Sequence, residues 1–189
     1  MDAKQAATIH IILLLLIFCL TSASGEVVDS SATGFTVRDT LAIAATSSEV
    51  YHRLTKNIGQ WWSSEHTFSG NSQNLYIEDN AHGCFCEKLD NGGSVRHLTV
   101  VFADPDKSLQ MVGALGPLQS MGVTGSMTWR LTPLDKGTHV ELTYAVGGYA
   151  PDGLQHLAAP VNRVLMEQLL RLKRYVETGT PEENSQRDK

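Results

Sequence analysis

The sequence predicts an α+β protein in which a curved antiparallel sheet wraps around one long C-terminal helix. One strand and one short helix come first, a run of strands between residues 75 and 148 leaves no room for another long helix, and a single amphipathic helix lies near the end. Sheets and helices bury their apolar faces against each other. A sheet that meets a terminal helix in this way tends to enclose a cavity, so the chain is first interpreted as a container for an apolar molecule.

Residues 1–24 have the pattern of a signal peptide. Lys4 supplies positive charge, residues 9–20 are almost entirely apolar, and small residues precede Gly25. The apolar run is shorter than the about 20 residues that a spanning helix needs. We therefore predict cleavage, export to the periplasm or the extracellular space, and no stable membrane insertion afterwards; an uncleaved anchor is the alternative.

Charge and composition limit the partners and the domain organisation that the rest of the chain can have. The full sequence carries 15 Lys and Arg against 20 Asp and Glu, and its net charge of −5 is unchanged without residues 1–24 because Asp2 and Lys4 cancel. No run of basic residues is present, which argues against a nucleic-acid partner. Residues 25–33 are small and polar and are predicted to be flexible. Residues 34–178 are predicted to form one domain, and the charged tail 179–189 is predicted to be disordered.

The first strand and helix follow from periodicity. Apolar residues alternate over 35–45, which predicts a half-buried strand. Thr46 and Glu49 match a capping box, which predicts the start of a helix. Trp61 and Trp62 come directly after this helix. Its apolar stripe consists of Val50, Leu54 and Ile58.

Asn91-Gly92 predicts a hairpin between strands 84–89 and 94–102. With those two residues as the turn, Cys86 lies opposite His97. Because alternate residues share a face, His97 would then project from the same face as His82, Cys84 and Cys86. The other face is more apolar, but it also carries Glu87 opposite Arg96, which resembles a surface pair. Either face of this hairpin could therefore look into the cavity.

The strands 123–131 and 138–146 are the clearest in the sequence, because apolar and polar residues alternate through both. A turn at Lys136-Gly137 would pair Trp129 with Tyr144 and make the two apolar faces coincide.

The final helix has apolar residues at spacings of three and four from Leu154 to Val176. Pro160 interrupts this pattern, which predicts a kink or a break near residues 155–159.

The order of these elements resembles the SRPBCC superfamily, whose helix-grip fold is shared by START-type lipid carriers, pollen-allergen-type proteins and polyketide cyclases. The closest branch is the one named after a chaperone ATPase activator. The resemblance covers residues 35–177 and rests on motifs that are specific only in combination: Gln60-Trp61-Trp62, Gly83-Cys84-Phe85-Cys86-Glu87, Asp104-Pro105 and the hairpin 123–146. It implies the fold but not one activity. A chaperone partner is not expected for an exported chain.

Cys84, Cys86 and His97 allow three interpretations. They could bind zinc, which accepts Cys and His ligands. The cysteines could form a disulfide or a reactive thiol in an oxidising compartment. They could also be buried as small apolar side chains beside a histidine. Zinc is the one cofactor considered, and otherwise none is predicted.

A small apolar or amphipathic molecule is the expected partner. The candidate ligand-binding residues are Trp61, Trp62, His97, Met127, Trp129 and Tyr144. Trp61 and Trp62 could contact a ligand at the mouth of the cavity, or one could pack in the core while the other covers the helix end. Met127, Trp129 and Tyr144 lie on the apolar strand faces, which would line the cavity of a container.

Three functions remain open at this point. The first is a non-catalytic carrier or sensor of a hydrophobic ligand. The second is a cavity enzyme of cyclase, dehydratase or hydrolase type, with His97, Cys86 or His66 as acid and base groups. The third is a zinc-stabilised structural domain. No nucleophile elbow, phosphate-binding glycine loop or metalloprotease motif is present in the sequence.

Overall fold

A computed structural model describes residues 23–183, which fold into one antiparallel sheet and one long helix with two shorter helices. The strands are β1 (Ser24–Ser31), β2 (Gly34–Ile43), β3 (Leu75–Ile77), β4 (Cys84–Lys88), β5 (Ser94–Asp104), β6 (Ser108–Gly113), β7 (Gly122–Leu134) and β8 (Gly137–Tyr149). The helices are α1 (Ser47–Lys56), α2 (Ile58–Trp61) and α3 (Ala158–Thr178). Four single 3₁₀ turns occupy Ser64–His66, Ser72–Asn74, Gly116–Ser120 and Gln155–Leu157.

The sheet is open and curved. Its strand order is β1-β2-β8-β7-β6-β5-β4-β3, and all neighbouring strands are antiparallel. Helix α1 contacts β3 at one edge as well as β7 and β8 in the middle, which requires the sheet to bend around it. Helix α3 packs on β1 and β2 and against α1 and α2. The predicted α+β helix-grip architecture is confirmed.

Strand β2 shows the alternation that the sequence predicts, with one polar exception on its buried face. Asp39 is fully buried between apolar neighbours, and its Oδ1 accepts a hydrogen bond of 2.7 Å from Asn162 Nδ2 of α3. Its Oδ2 has no partner among the described residues. Burial raises the pKa of Asp39 to about 6, although the Asn162 hydrogen bond acts to lower it.

The segment 25–33 differs from its prediction, because most of it forms a strand. Strand β1 pairs with β2 while all of its side chains remain exposed. Backbone hydrogen bonds to an edge strand need no apolar side chains, so the side-chain pattern carried no signal of this strand. Residues 1–22 of the predicted signal peptide lie outside the described residues.

The beginning of the predicted disordered tail is held against α3. Arg171 binds the carboxylate of Glu182, and Arg174 Nε donates to the carbonyl oxygen of Pro181 at 2.7 Å. Residues 184–189 lie outside the described range.

The N-termini of α1 and α3 are each explained by one residue. The backbone N–H of Glu49 donates to Thr46 Oγ1 at 3.2 Å, so Thr46 is the predicted N-cap of α1. Pro160 lies in the first turn of α3, where a backbone N–H has no partner within the helix. The proline therefore marks the start of α3 after the turn Gln155–Leu157.

The hairpin β7–β8 has a register two residues away from the predicted one. Leu134 pairs with Gly137, so Asp135-Lys136 form the turn and Trp129 faces Leu142 instead of Tyr144. A shift of two residues leaves every side chain on the same face. The predicted apolar faces are therefore observed.

No helix between residues 23 and 183 combines the length and the apolar character needed to cross a membrane.

Candidate functional site

A cavity of about 490 Å³ lies between the first half of α3 and the curved sheet. This is within the usual range for small-molecule sites. Four groups of residues surround it: the loop after α2, strands β4 and β5 through Phe85 and His97, the turn Gly116–Ser120 with Leu115, and one face of α3 with the turn before it. Its wall consists mainly of apolar side chains, among them Trp62, Phe68, Phe85, Leu115, Leu118, Leu157, Val161, Val164 and Leu165.

One polar side chain, His97, lies within this wall and is 5% exposed. A β-bulge brings it there. Phe85 of β4 pairs with Leu98, but Cys86 pairs with Arg96, so β5 has one unpaired extra residue, His97. The bulge interrupts the alternation of β5, and His97 and Leu98 are both buried. The imidazole packs against the Phe85 ring at a centroid distance of 4.8 Å.

Glu87 lies behind His97 and is fully buried. Its Oε2 lies 3.0 Å from His97 Nε2 and also accepts the backbone N–H of Phe68 at 3.1 Å. Its Oε1 accepts the backbone N–H of Ser69. The predicted surface pair of Glu87 with Arg96 is wrong, because the bulge shifts the register and places Glu87 opposite Val95, with its carboxylate inside.

The pKa values of the pair follow from this arrangement. Burial acts to raise the pKa of Glu87, but the hydrogen bonds from Ser69, Phe68 and His97 together lower it. Burial lowers the pKa of His97, although Glu87 acts in the opposite direction. An ionised carboxylate beside a neutral imidazole is therefore favoured near neutral pH.

The rim of the cavity is more polar than its wall. His66 Nε2 lies 3.2 Å from Glu167 Oε2 of α3, and Trp62 Nε1 donates to the carbonyl oxygen of His66 at 3.1 Å. Phe68 is about half exposed, and its ring centroid lies 5.8 Å from that of His97. Because Glu87 holds the backbone of Phe68, the same carboxylate positions this loop and the cavity histidine.

The predicted ligand-binding residues separate into two groups. Trp62 and His97 line the cavity. The other four do not; they fill the core elsewhere and are at most 2% exposed, namely Trp61, Met127, Trp129 and Tyr144. Alternation correctly predicted that Met127, Trp129 and Tyr144 face inward, but it does not distinguish a filled interior from a hollow one.

Trp61 and Tyr144 contribute by holding other elements in place. Trp61 Nε1 donates to the carbonyl oxygen of Arg53, and its ring packs edge-on to Trp129. Tyr144 Oη donates to the carbonyl oxygen of Gly113 at 3.0 Å and accepts the backbone N–H of Leu115 at 3.2 Å. Burial raises the pKa of Tyr144 to about 12, so its hydroxyl remains a donor.

Cys84 and Cys86 form a disulfide with a Cα–Cα distance of 5.4 Å. Phe85 lies between them and faces the cavity, so the disulfide lies on the opposite face of β4. The prediction that both cysteines share a face with His97 is wrong, because the bulge turns His97 to the inner side. Within residues 23–183 no cluster of potential ligands could hold a metal ion. The arrangement required by the zinc hypothesis is therefore not found.

Sequence reasoning did not identify Glu87 as part of the site. The predicted pairing with Arg96 resembled a surface pair, and no sequence pattern indicates the bulge that changes this pairing. The loop residues Phe68 and Leu115 were also missed, because apolar residues in loops lack a periodicity from which a facing direction follows.

Comparison with known families gives one match over most of the chain. A family model described as polyketide cyclase / dehydrase and lipid transport matches residues 34–177. The comparison with curated proteins gives no significant match.

Solved structures with the same fold have low sequence identity. The Aha1 dimer from Colwellia psychrerythraea is 19% identical, with a TM-score of 0.55 over 76% of this chain and 97% of that one. A putative uncharacterized protein from Rhizobium leguminosarum is 12% identical, with a TM-score of 0.57 and coverages of 83% and 99%. CalU16 from Micromonospora echinospora is 15% identical, with a TM-score of 0.53 and 86% of each chain covered. At these identities the likeness shows the fold alone.

Proposed function

The chain belongs to the polyketide cyclase / dehydrase and lipid transport family, and we propose that it is an exported carrier or sensor that holds a small hydrophobic or amphipathic molecule in the cavity beneath α3. The observation that carries this proposal is the cavity itself. A volume of about 490 Å³ with an almost wholly apolar wall suits such a ligand. Export rests on the N-terminal sequence pattern and places the protein in the periplasm or outside the cell.

The boundaries of the cavity support reversible binding. One side consists of the loop around His66 and Phe68, and another of the turn that includes Leu118. Loops move more readily than strands. Together they offer a route of entry without opening the sheet.

Native mass spectrometry of the protein purified from its own host tests the proposal. We expect an adduct that is released as a small apolar or amphipathic molecule on denaturation. The Val164→Trp variant, which places a large ring in the cavity wall, should lose the adduct. The Arg163→Trp variant adds the same ring at the neighbouring, exposed position of α3 and should retain it. Equal retention in both variants, or no adduct in any preparation, would contradict the proposal.

A second candidate function is catalysis in the same cavity, of cyclase, dehydratase or hydrolase type. The buried His97–Glu87 pair on an apolar wall favours it, because such a pair can accept and return a proton. The two functions differ in the fate of the ligand. A carrier returns the recovered ligand unchanged after prolonged incubation with fresh protein, whereas an enzyme changes its mass or its spectrum.

A further inference from the structure

His97 has two ring nitrogens, and only one of them has a partner. Nε2 lies 3.0 Å from Glu87 Oε2. Nδ1 makes no hydrogen bond to any residue from 23 to 183, and it is not among the buried polar atoms that lack a partner, so it retains accessible surface. Because His97 lines the cavity and is otherwise buried, this surface faces the cavity.

The neighbours of Glu87 determine what Nδ1 can do. Both carboxylate oxygens accept backbone N–H groups, from Phe68 and Ser69, and an ionised carboxylate has no hydrogen to donate. His97 Nε2 must therefore carry the hydrogen of their shared bond. A neutral imidazole with its hydrogen on Nε2 has a lone pair on Nδ1, which is then a hydrogen-bond acceptor.

Few other side chains of the cavity wall could form a hydrogen bond with a buried ligand in place of His97 Nδ1. The other polar side chains around the cavity lie at its rim, where Glu65 is exposed, Thr67 is half-buried and His66 is already bonded to Glu167. The deep part of the wall is formed by apolar side chains such as Phe85 and Leu165. Among the described side chains of the wall, a ligand that enters fully meets one buried acceptor, His97, in apolar surroundings.

We infer that the cavity selects an apolar molecule with a hydroxyl group at its buried end, and that His97 Nδ1 accepts the hydrogen of that hydroxyl. This inference rests on the proposed function, since it names the ligand class of the same cavity. A ligand without a donor would take water away from Nδ1 and leave it unpaired, which is unfavourable in an apolar site. Glu87 acts through His97 as a positioning residue, because it holds the hydrogen on Nε2.

A matched pair of probes tests the inference. 2-Naphthol and 2-methoxynaphthalene have the same ring system, but only the first has a hydroxyl hydrogen. We expect the unaltered protein at neutral pH to bind 2-naphthol about three- to tenfold more tightly, as measured by calorimetric titration, because one hydrogen bond is gained.

Variants show whether His97 is responsible for the preference. The double variant His97→Phe/Glu87→Gln removes the acceptor and leaves no buried carboxylate without its partner. It should bind both probes with equal affinity. His52→Gln, on the exposed surface of α1, is the matched histidine control and should keep the preference.

The outcomes separate this inference from the proposed function. Equal affinities in the unaltered protein overturn the hydroxyl inference and leave apolar binding standing. If the folded double variant still prefers 2-naphthol over 2-methoxynaphthalene, the inference is also overturned, because a group other than His97 then binds the hydroxyl. Failure to bind either probe overturns it as well. If native mass spectrometry also shows no adduct, the proposed function itself fails. The probe comparison on the unaltered protein remains decisive if the double variant does not fold.

Discussion

Trp61 and Trp62 are neighbours in the chain, yet their side chains lie in two different regions of the interior. Trp61 belongs to the filled half, which we define by Trp61, Met127, Trp129 and Tyr144 together with Leu169 and Leu172 of α3; all six are at most 2% exposed. Trp62 belongs to the hollow half, defined by Trp62, Phe85, His97, Val161 and Val164 around the cavity.

The two halves differ in what covers the sheet. The filled half lies under α1, α2 and the second half of α3, whose buried side chains belong to the same core as those of the strands. The hollow half is covered by the first half of α3 and by two loops. Helices present regular rows of side chains that fill space, whereas loops present few. In this fold, the region covered by helices alone is packed, and the region where loops share the covering with α3 contains the cavity.

The strongest test of the difference between the filled and the hollow half is substitution of Trp61 in the filled half. Trp61→Ala should lower the free energy of unfolding by about 3–5 kcal/mol, since it leaves a cavity among fully buried neighbours and removes the hydrogen bond to Arg53. Urea denaturation measures the loss. A loss below about 1 kcal/mol would mean that this half is not packed as described.

The buried Asp39 tests whether water is excluded from beneath α3. Its pKa is about 6 in the folded protein against an ordinary value of 3.8, so the ionised form is disfavoured by folding. Its contribution to stability is therefore fully present below about pH 4 and is lost as the pH rises towards 6. A difference of about two pKa units corresponds to about 3 kcal/mol.

The matched measurement compares the unaltered protein with Asp39→Asn at pH 4 and pH 7. Relative to the variant, the unaltered protein should lose about 2 kcal/mol between the two pH values, because at pH 4 the unfolded-state carboxyl is already partly ionised. His97 and Glu87 titrate in both proteins, so their effects cancel in the difference. Parallel pH profiles would show that Asp39 is hydrated.

Trp62→Ala should be less destabilising than Trp61→Ala, at about 2 kcal/mol, because one side of the Trp62 ring already faces open space. Its larger effect should be on ligands, and we expect at least a tenfold loss of 2-naphthol affinity by calorimetry. Equal destabilisation by the two substitutions would remove the distinction between the halves.

Tyr144→Phe should have the smallest effect, about 1 kcal/mol, because the ring remains and only the bonds to Gly113 and Leu115 are lost. This hydroxyl connects the filled half to the turn that closes the cavity. Hydrogen exchange should therefore increase at Leu115–Leu118, with no change at Trp61. An unchanged turn would indicate that Tyr144 serves the core alone.

Sequence periodicity predicted which strand residues face inward, and it did so even where the register was wrong. The hairpin β7–β8 is shifted by two residues from the predicted pairing, yet Trp129 and Tyr144 face the core as expected. A shift by a whole period moves a side chain along the strand without turning it over. At β4–β5 the difference was one residue, and the predicted face of His97 was wrong.

The amino-acid sequence by itself determined the order of elements after β1, a sheet combined with one long C-terminal helix, and the apolar stripe of α3, because these depend on local periodicity and capping; the resemblance to a known family added the helix-grip fold. Tertiary structure alone decided that His97 meets Glu87 and that Trp62, rather than Trp61, faces a cavity. Both depend on how strands pair and on how segments distant in the chain cover them. A bulge changes the direction of a side chain without changing the pattern of residue types, so it cannot be predicted from the local sequence.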